Sequence, residues 1–176
     1  MRFLVLAPMA LALAGCAMFQ SSSSESTPSS DRARAELSDA QSRRVGDASL
    51  QQTPHGILIT ASFTGLPPGT HGIHIHATGK CEPPFASAGG HFNPGDKQHG
   101  FRNPSGPHAG DLPNINVPQD GNVRVELFLP GLTLRDKNAL LDDDGAALVI
   151  HEFADDYASD PAGNSGARIA CGVIRR

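Results

Sequence analysis

No stretch of this chain carries apolar residues at helical spacing over a useful length. Instead it breaks into about eight short runs rich in β-branched residues, separated by Gly, Pro, Asn and Asp. GILITASF (56–63) leads into the turn sequence LPPGTHG, after which GIHIH resumes as a strand. NVRVELFL (122–129) alternates apolar and polar residues with period two, behind the hairpin signal PQDG. AALVIHE (146–152) follows the turn DDDG, and ARIACGVI (167–174) is a further apolar run. RARAEL near residue 34, RVGDASLQQ near residue 46 and DLPNINV complete the set, while LRDKNALLDDD holds one helical turn at most. Short strands with turn signals between them predict an all-β, antiparallel sandwich or barrel. The 19 Gly and 14 Pro against one Tyr and no Trp suit a loop-rich β domain better than a helical bundle.

The first residues stand outside that pattern. MRFLVLAPMALALAGC has one positive residue, Arg2, then an apolar run from Phe3 to Ala14 and small residues. This reads as an export signal, because a bilayer span needs about 20 apolar residues. LAGC at 13–16 resembles the bacterial lipobox, whose cysteine is acylated and becomes the new N-terminus. The alternative is a plain signal peptide cut elsewhere, with Cys16 incidental. SSSSESTPSS (21–30) is polar and of low complexity, and reads as a tether. The expected organisation is a lipoprotein signal peptide over 1–15, a lipid-anchored Ser-rich tether over 16–30 and one folded domain over 31–176. The net charge of -4 offers no basic patch and argues against nucleic acid as a partner.

With Cys16 assigned to lipid, Cys81 and Cys171 remain in an oxidising, exported setting and are expected to pair. A bridge across roughly 90 residues would remove on the order of 4–5 kcal/mol of unfolded-state entropy. Two free buried thiols are the alternative. Two segments, Ala77 to about His108 and Phe153 to about Gly166, are too long for hairpin turns. Loops of that length in a small domain are functional or disordered, and ordered ones need staples.

The chain has eight histidines. His55, in the turn TPHG, and His71, just before a strand, read as exposed or structurally hydrogen-bonded. His74 and His76 lie two apart on a strand, so they share one face, with Ile73 and Ile75 on the other. Neighbouring neutral imidazoles suit a metal ion. The loop GGHFNPGDKQHGFRNPSGPHAGD spaces His91, His99, His108 and Asp111 by eight, nine and three residues. Three imidazoles and a carboxylate satisfy tetrahedral zinc, and the loop's glycines and prolines allow it to fold back around an ion. His151 ends the strand LVIH, where it could face His74 and His76 from a neighbouring strand. These candidates are too many for one four-coordinate ion and one short of two full sets. Either one ligand is shared, or the two sites are unequal. Imidazole can bridge through its two nitrogens. An all-nitrogen set favours Cu(II), and the set containing Asp111 favours zinc.

GIHIH, GGHFNP, HG, PHAGD, VIHE with DD, and GARIACGVI, in that order, resemble the copper/zinc superoxide dismutases over roughly residues 33–174. The resemblance implies an eight-stranded Greek-key barrel of immunoglobulin-like sandwich type with two long functional loops. It implies one copper per subunit, held by His74, His76, His91 and His151, and one zinc, held by His91, His99, His108 and Asp111, with His91 as the bridge. It implies that a Cys81–Cys171 disulfide ties the metal-binding loop to the last strand. Asp155 would join a copper ligand to a zinc ligand, with Asp156 as the fallback. The implied reaction turns superoxide and protons into dioxygen and hydrogen peroxide, with His91 delivering a proton and Arg168 docking the anion. The implied setting is a bacterial cell envelope, membrane-anchored and periplasm-facing. The segment EFADDYASDPAGNSGA departs from eukaryotic members in having no lysine, so anion steering would fall to Lys80 or Lys97. The family's dimer contact does not carry over, which leaves a monomer or a homodimer. A non-catalytic copper/zinc-binding envelope lipoprotein is the competing reading. Its mark would be a missing copper ligand or a missing Arg168, and neither is missing.

Overall fold

Inside–outside alternation runs along the four longest strands. The computed structural model describes residues 31–176; the expected signal peptide, Cys16 and the Ser-rich tether lie outside the described residues. The strands are β1 (Arg32–Asp39), β2 (Arg44–Thr53), β3 (Gly56–Phe63), β4 (Gly69–His71), β5 (Ile73–His76), β6 (Ile115–Val117), β7 (Val123–Pro130), β8 (Ala147–His151) and β9 (Arg168–Val173). Seven form one antiparallel sheet in the order β5-β8-β9-β1-β2-β3-β7, and β4 pairs with β6. Since β4 runs on into β5 and β6 lies near β7, the two sheets curl together into a half-barrel. The Greek-key expectation holds, with one more strand than expected. The extra one is β4, formed where LPPGTHG reads as a turn: His71 pairs with Ile115, and after Gly72 the chain changes partner, with Ile73 paired to Ile150.

On β1 every second residue points inward (Ala33, Ala35, Leu37), and on β3 Ile57, Ile59, Ala61 and Phe63 do the same. Each fully buried Leu, Ile or Phe contributes about 1.5–3 kcal/mol relative to exposure. β5 and β8 differ, being buried on both faces. Ile73, Ile75, Leu148 and Ile150 fill the main core, while the opposite faces carry His74, His76, Ala147 and Val149 beneath the long loops. An apolar-polar alternation that is nonetheless buried throughout means that something covers the polar side.

The covering loop is stapled. Ile75 N–H donates to the Gly110 carbonyl (2.9 Å), Phe92 N–H to that of Ile75 (2.8 Å) and Ala77 N–H to that of Gly90 (2.9 Å). Isolated bridges pair His76 with His91 and His74 with Asp111. Any side chain at Gly110 would collide with the Ile75 carbonyl, so only glycine permits this approach. Farther along, Cys81 and Cys171 form the expected disulfide, with Cα atoms 5.6 Å apart. It packs in a second small core with Phe85, Ala88, Ala147 and Val149. A short 3-10 turn at Ala86–Ala88 sits inside this loop, where the sequence carries no helical signal.

Candidate metal centre

Two buried quartets of potential ligands stand side by side on β5, β8 and the long loop. The first is His74, His76, His91 and His151; the second is His91, His99, His108 and Asp111. Within each set the ligand atoms lie within 4.8 Å of one another. His91 belongs to both. All seven sequence-predicted ligands are therefore brought together in two groups of four that share one ring.

Backbone and side-chain partners decide which nitrogen each ring presents. His76 Nδ1 donates to the Gly89 carbonyl at 2.9 Å, which leaves Nε2 with its lone pair. His151 Nδ1 lies 3.4 Å from the Gly166 carbonyl, and its Nε2 faces His76 Nε2 at 3.4 Å. His74 turns Nε2 to Asp155 (2.9 Å), and its buried Nδ1 has no hydrogen-bond partner; neither has His91 Nε2. Buried polar atoms almost always find a partner. Unpartnered nitrogens beside two lone pairs aimed at each other fit a cation with nitrogen preference, and Cu(II) is the one that such a set favours. In the second quartet Asp111 Oδ1 lies 2.9 Å from His91 Nδ1, 3.0 Å from His99 Nδ1 and 3.4 Å from His108 Nδ1. Three imidazoles around one carboxylate oxygen fit zinc.

The electrostatics separate the two groups in the metal-free protein. Burial pushes His74 down to about 4, against a partial counter-pull from Asp155. Burial, helped by the charge of His74, takes His151 down to about 3, and burial lowers His76 well below its ordinary range. His99 goes the other way. Burial opposes its charge, but hydrogen bonds to Asp111 and Asp155 overcome that and hold it up at about 9. Both carboxyls are held below the ordinary carboxylate range against their own burial, Asp111 by His91 and His99 and Asp155 by His74 and His99. His74, His76 and His151 are thus neutral donors, and the second group holds an ion pair between His99 and its carboxylates that an arriving cation must replace.

Asp155 joins the two groups, with Oδ2 at 2.9 Å from His74 Nε2 and Oδ1 at 2.9 Å from His99 Nε2. Asp156 instead accepts the Ala158 and Ser159 N–H groups in its own turn. Arg168 faces His151 across a bulge, since Ile150 pairs with Ala170 but His151 pairs with Arg168. Its guanidinium donates to the carbonyls of Phe85 and Gly89, both at 2.6 Å. Its charge bears on His76 and His151. His71 lies outside both groups, buried, with its ring nitrogens at the carbonyls of His151 (2.9 Å) and Pro67 (2.8 Å). His55 is exposed in its turn.

Sequence reasoning missed Asn114, Tyr157 and the Phe85 and Gly89 carbonyls. Asn114 clamps both backbone polar groups of Asp155. A main-chain carbonyl leaves no trace in residue type, and Asn114 read only as part of the strand DLPNINV.

The family model described as "Copper/zinc superoxide dismutase (SODC)" matches residues 44–174. Superoxide dismutase (Cu-Zn) 2 of Aquifex aeolicus (strain VF5) is 53% identical over 148 residues, covering 82% of this chain and 86% of that protein. The crystal structure of a SOD-like protein from Bacillus subtilis superposes with a TM-score of 0.77 at 46% identity, covering 80% of this chain and 96% of that one. The Cu/Zn superoxide dismutase from Brucella abortus gives a TM-score of 0.66 at 29% identity, covering 81% and 98%. Likeness of this extent, in a chain whose two quartets of potential ligands share one imidazole ring, has one conclusion: the chain belongs to the copper/zinc superoxide dismutase family.

Proposed function

We propose that this protein dismutates superoxide to dioxygen and hydrogen peroxide in a bacterial cell envelope, protecting it from superoxide. His74, His76, His91 and His151 would hold one copper; His91, His99, His108 and Asp111 would hold one zinc. The observation that carries this reading is the His91 ring, which presents one nitrogen to each quartet.

Copper, when bound, supplies one-electron exchange with superoxide, and zinc supplies a fixed charge in the loop. The chain's own residues do the rest. Arg168 offers a guanidinium anchored by two carbonyls, a preorganised positive charge on which an anion can dock. In a chain of net charge -4, that local positive potential must draw the substrate in. His91 Nε2 is the buried nitrogen that can carry a proton toward the docked anion, while Nδ1 stays against Asp111. Asp155 keeps a proton on Nε2 of both His74 and His99, which would leave Nδ1 of each ring to hold an ion.

The test is the purified protein loaded with copper and zinc, with metal content and superoxide dismutation measured together. One ion of each kind with fast dismutation supports the reading. Both ions without dismutation leaves a metal-binding lipoprotein. The lipid anchor at Cys16 and the membrane-bound, periplasm-facing location belong to the same proposal, supported by the LAGC motif. Cys16→Ser should move the protein to the soluble fraction with activity unchanged. Retention in the membrane fraction would remove the anchor. The protein works as a monomer or a homodimer, which sedimentation of the loaded protein distinguishes.

A further inference from the structure

We propose that Tyr157, the chain's single tyrosine, is a positioning residue for the metal centre: together with Asn114 it sets Asp155, and through Asp155 the orientation of His74 and His99.

The three residues close a ring of hydrogen bonds. Asp155 N–H donates to Asn114 Oδ1 (2.8 Å), and Asn114 Nδ2 donates back to the Asp155 carbonyl (2.9 Å). Asn114 N–H donates to the Tyr157 hydroxyl oxygen (2.7 Å). Tyr157 N–H donates to Asp155 Oδ1 (2.6 Å), the same oxygen that faces His99 Nε2. Tyr157 thus touches the circuit at both ends, with its backbone on the carboxylate and its hydroxyl on the residue that clamps the carboxylate's main chain. A left-handed backbone, φ 64°, makes this possible by folding the chain back at Tyr157.

The same residue also holds the chain just past His99. Its carbonyl accepts the Arg102 N–H at 2.8 Å, its ring lies 5.5 Å from that of Phe101, and the Arg102 guanidinium sits 5.6 Å from the ring centre. Gly100, next to His99, has room only for hydrogen, because a side chain there would strike the Tyr157 carbonyl. One side chain therefore joins the loop that carries His99 to the loop that carries Asp155. The oxygen is the specific element. Without it the Asn114 N–H loses its acceptor, and the clamp on Asp155 loses its support.

This inference rests on the reading of the second quartet as a zinc site. Residues that orient metal ligands from behind typically change affinity by about ten- to a hundredfold when removed. In the full-length protein, zinc affinity is measured by chelator competition for wild type, Tyr157→Phe, Asp155→Ala and the double variant. Tyr157→Phe should weaken zinc about tenfold. In the Asp155→Ala background the same change should have no further effect. With copper loaded, Tyr157→Phe should also alter the copper EPR spectrum through His74. Phe101→Ala, which removes ring packing and keeps the hydroxyl, should leave zinc affinity as in wild type. The proposal is overturned if Tyr157→Phe binds zinc like wild type, if its penalty persists without the Asp155 carboxylate, or if Phe101→Ala costs as much. A wild-type protein that binds no zinc would sink the site assignment itself, and this inference with it.

Discussion

Arg168 and His76 share one acceptor, the Gly89 carbonyl, which takes an Arg168 Nη2–H at 2.6 Å and the His76 Nδ1–H at 2.9 Å. The contact fixes two functional properties together. It keeps the His76 proton on Nδ1, so Nε2 points into the first quartet, and it holds the guanidinium beside that quartet. Gly89 lies between the disulfide at Cys81 and the shared His91, so the loop's covalent anchor, the Arg168 guanidinium and the tautomer of His76 are mechanically connected.

Removing that cation should slow catalysis without emptying the sites. Arg168→Ala should reduce kcat/KM at low salt by about tenfold or more, the lower end of electrostatic steering effects. Copper and zinc content should be unchanged, because no nitrogen of Arg168 belongs to either quartet. Arg168→Lys should retain part of the rate, since the charge survives but cannot reach both carbonyls in the same way. Raising ionic strength should slow wild type more than the alanine variant. Equal rates at all salt concentrations would take Arg168 out of the reaction.

Opening the disulfide should act on stability and on the site. With the cysteines 90 positions apart, Cys81→Ser with Cys171→Ser should cost about 2–5 kcal/mol in unfolding free energy. The Phe85 and Gly89 carbonyls would no longer be tethered, so kcat/KM should fall as well. Denaturant unfolding and dismutation measured on the same preparation check both. A rate as high as wild type in a destabilised variant would mean that the loop holds Arg168 without its anchor.

The strands and the ligands were legible in the sequence because both have a short-range signature. Period-two alternation marks NVRVELFL, and two histidines flanked by isoleucines on one strand mark a polar face that something must cover. The disulfide was legible from the count of cysteines together with the expectation of export. What escaped is carried by main-chain atoms or by contacts between distant loops. The break at Gly72 depends on two neighbouring strands pairing with different partners. Asn114 reaches Asp155 across 41 positions, and Tyr157 reaches Asn114 across 43. No local pattern encodes these contacts, and only the folded loops bring them about.

The metal-free protein should be most stable near neutral pH. His99 has a folded pKa of about 9, above its ordinary 6.5. Its stabilising contribution is complete below about 6.5 and is lost as pH rises through about 9. His74 and His151 have folded values of about 4 and about 3. Their contributions are present above about 6.5 and are lost as pH falls toward those values. Thermal unfolding of the metal-free protein from pH 4 to pH 10 should therefore give a dome. Zinc must displace the His99 proton from Nδ1, so zinc affinity should rise about tenfold per pH unit between about 6.5 and 9. A flat zinc affinity across that range would show that His99 is already neutral.

His91 is the one residue common to both quartets. His91 has Nδ1 at 2.9 Å from Asp111 Oδ1, a buried and unpartnered Nε2, and a ring centre 4.1 Å from that of His74. A single neutral imidazole cannot give a lone pair to two ions, so bridging requires the loss of its remaining proton, and reduction of copper would let one nitrogen take a proton back. His91→Ala should therefore disturb both metals, lowering copper and zinc retention together. His99→Ala should weaken zinc first and leave copper in place, because His99 belongs to the second quartet alone. With cobalt in the zinc position, oxidised wild type should show magnetic coupling to copper that disappears on reduction, with uptake of about one proton per copper. Metal analysis after dialysis, magnetic susceptibility and a pH-stat read these separately. Uncoupled ions in the oxidised, fully loaded protein would end the bridging mechanism, even if both metals stayed bound.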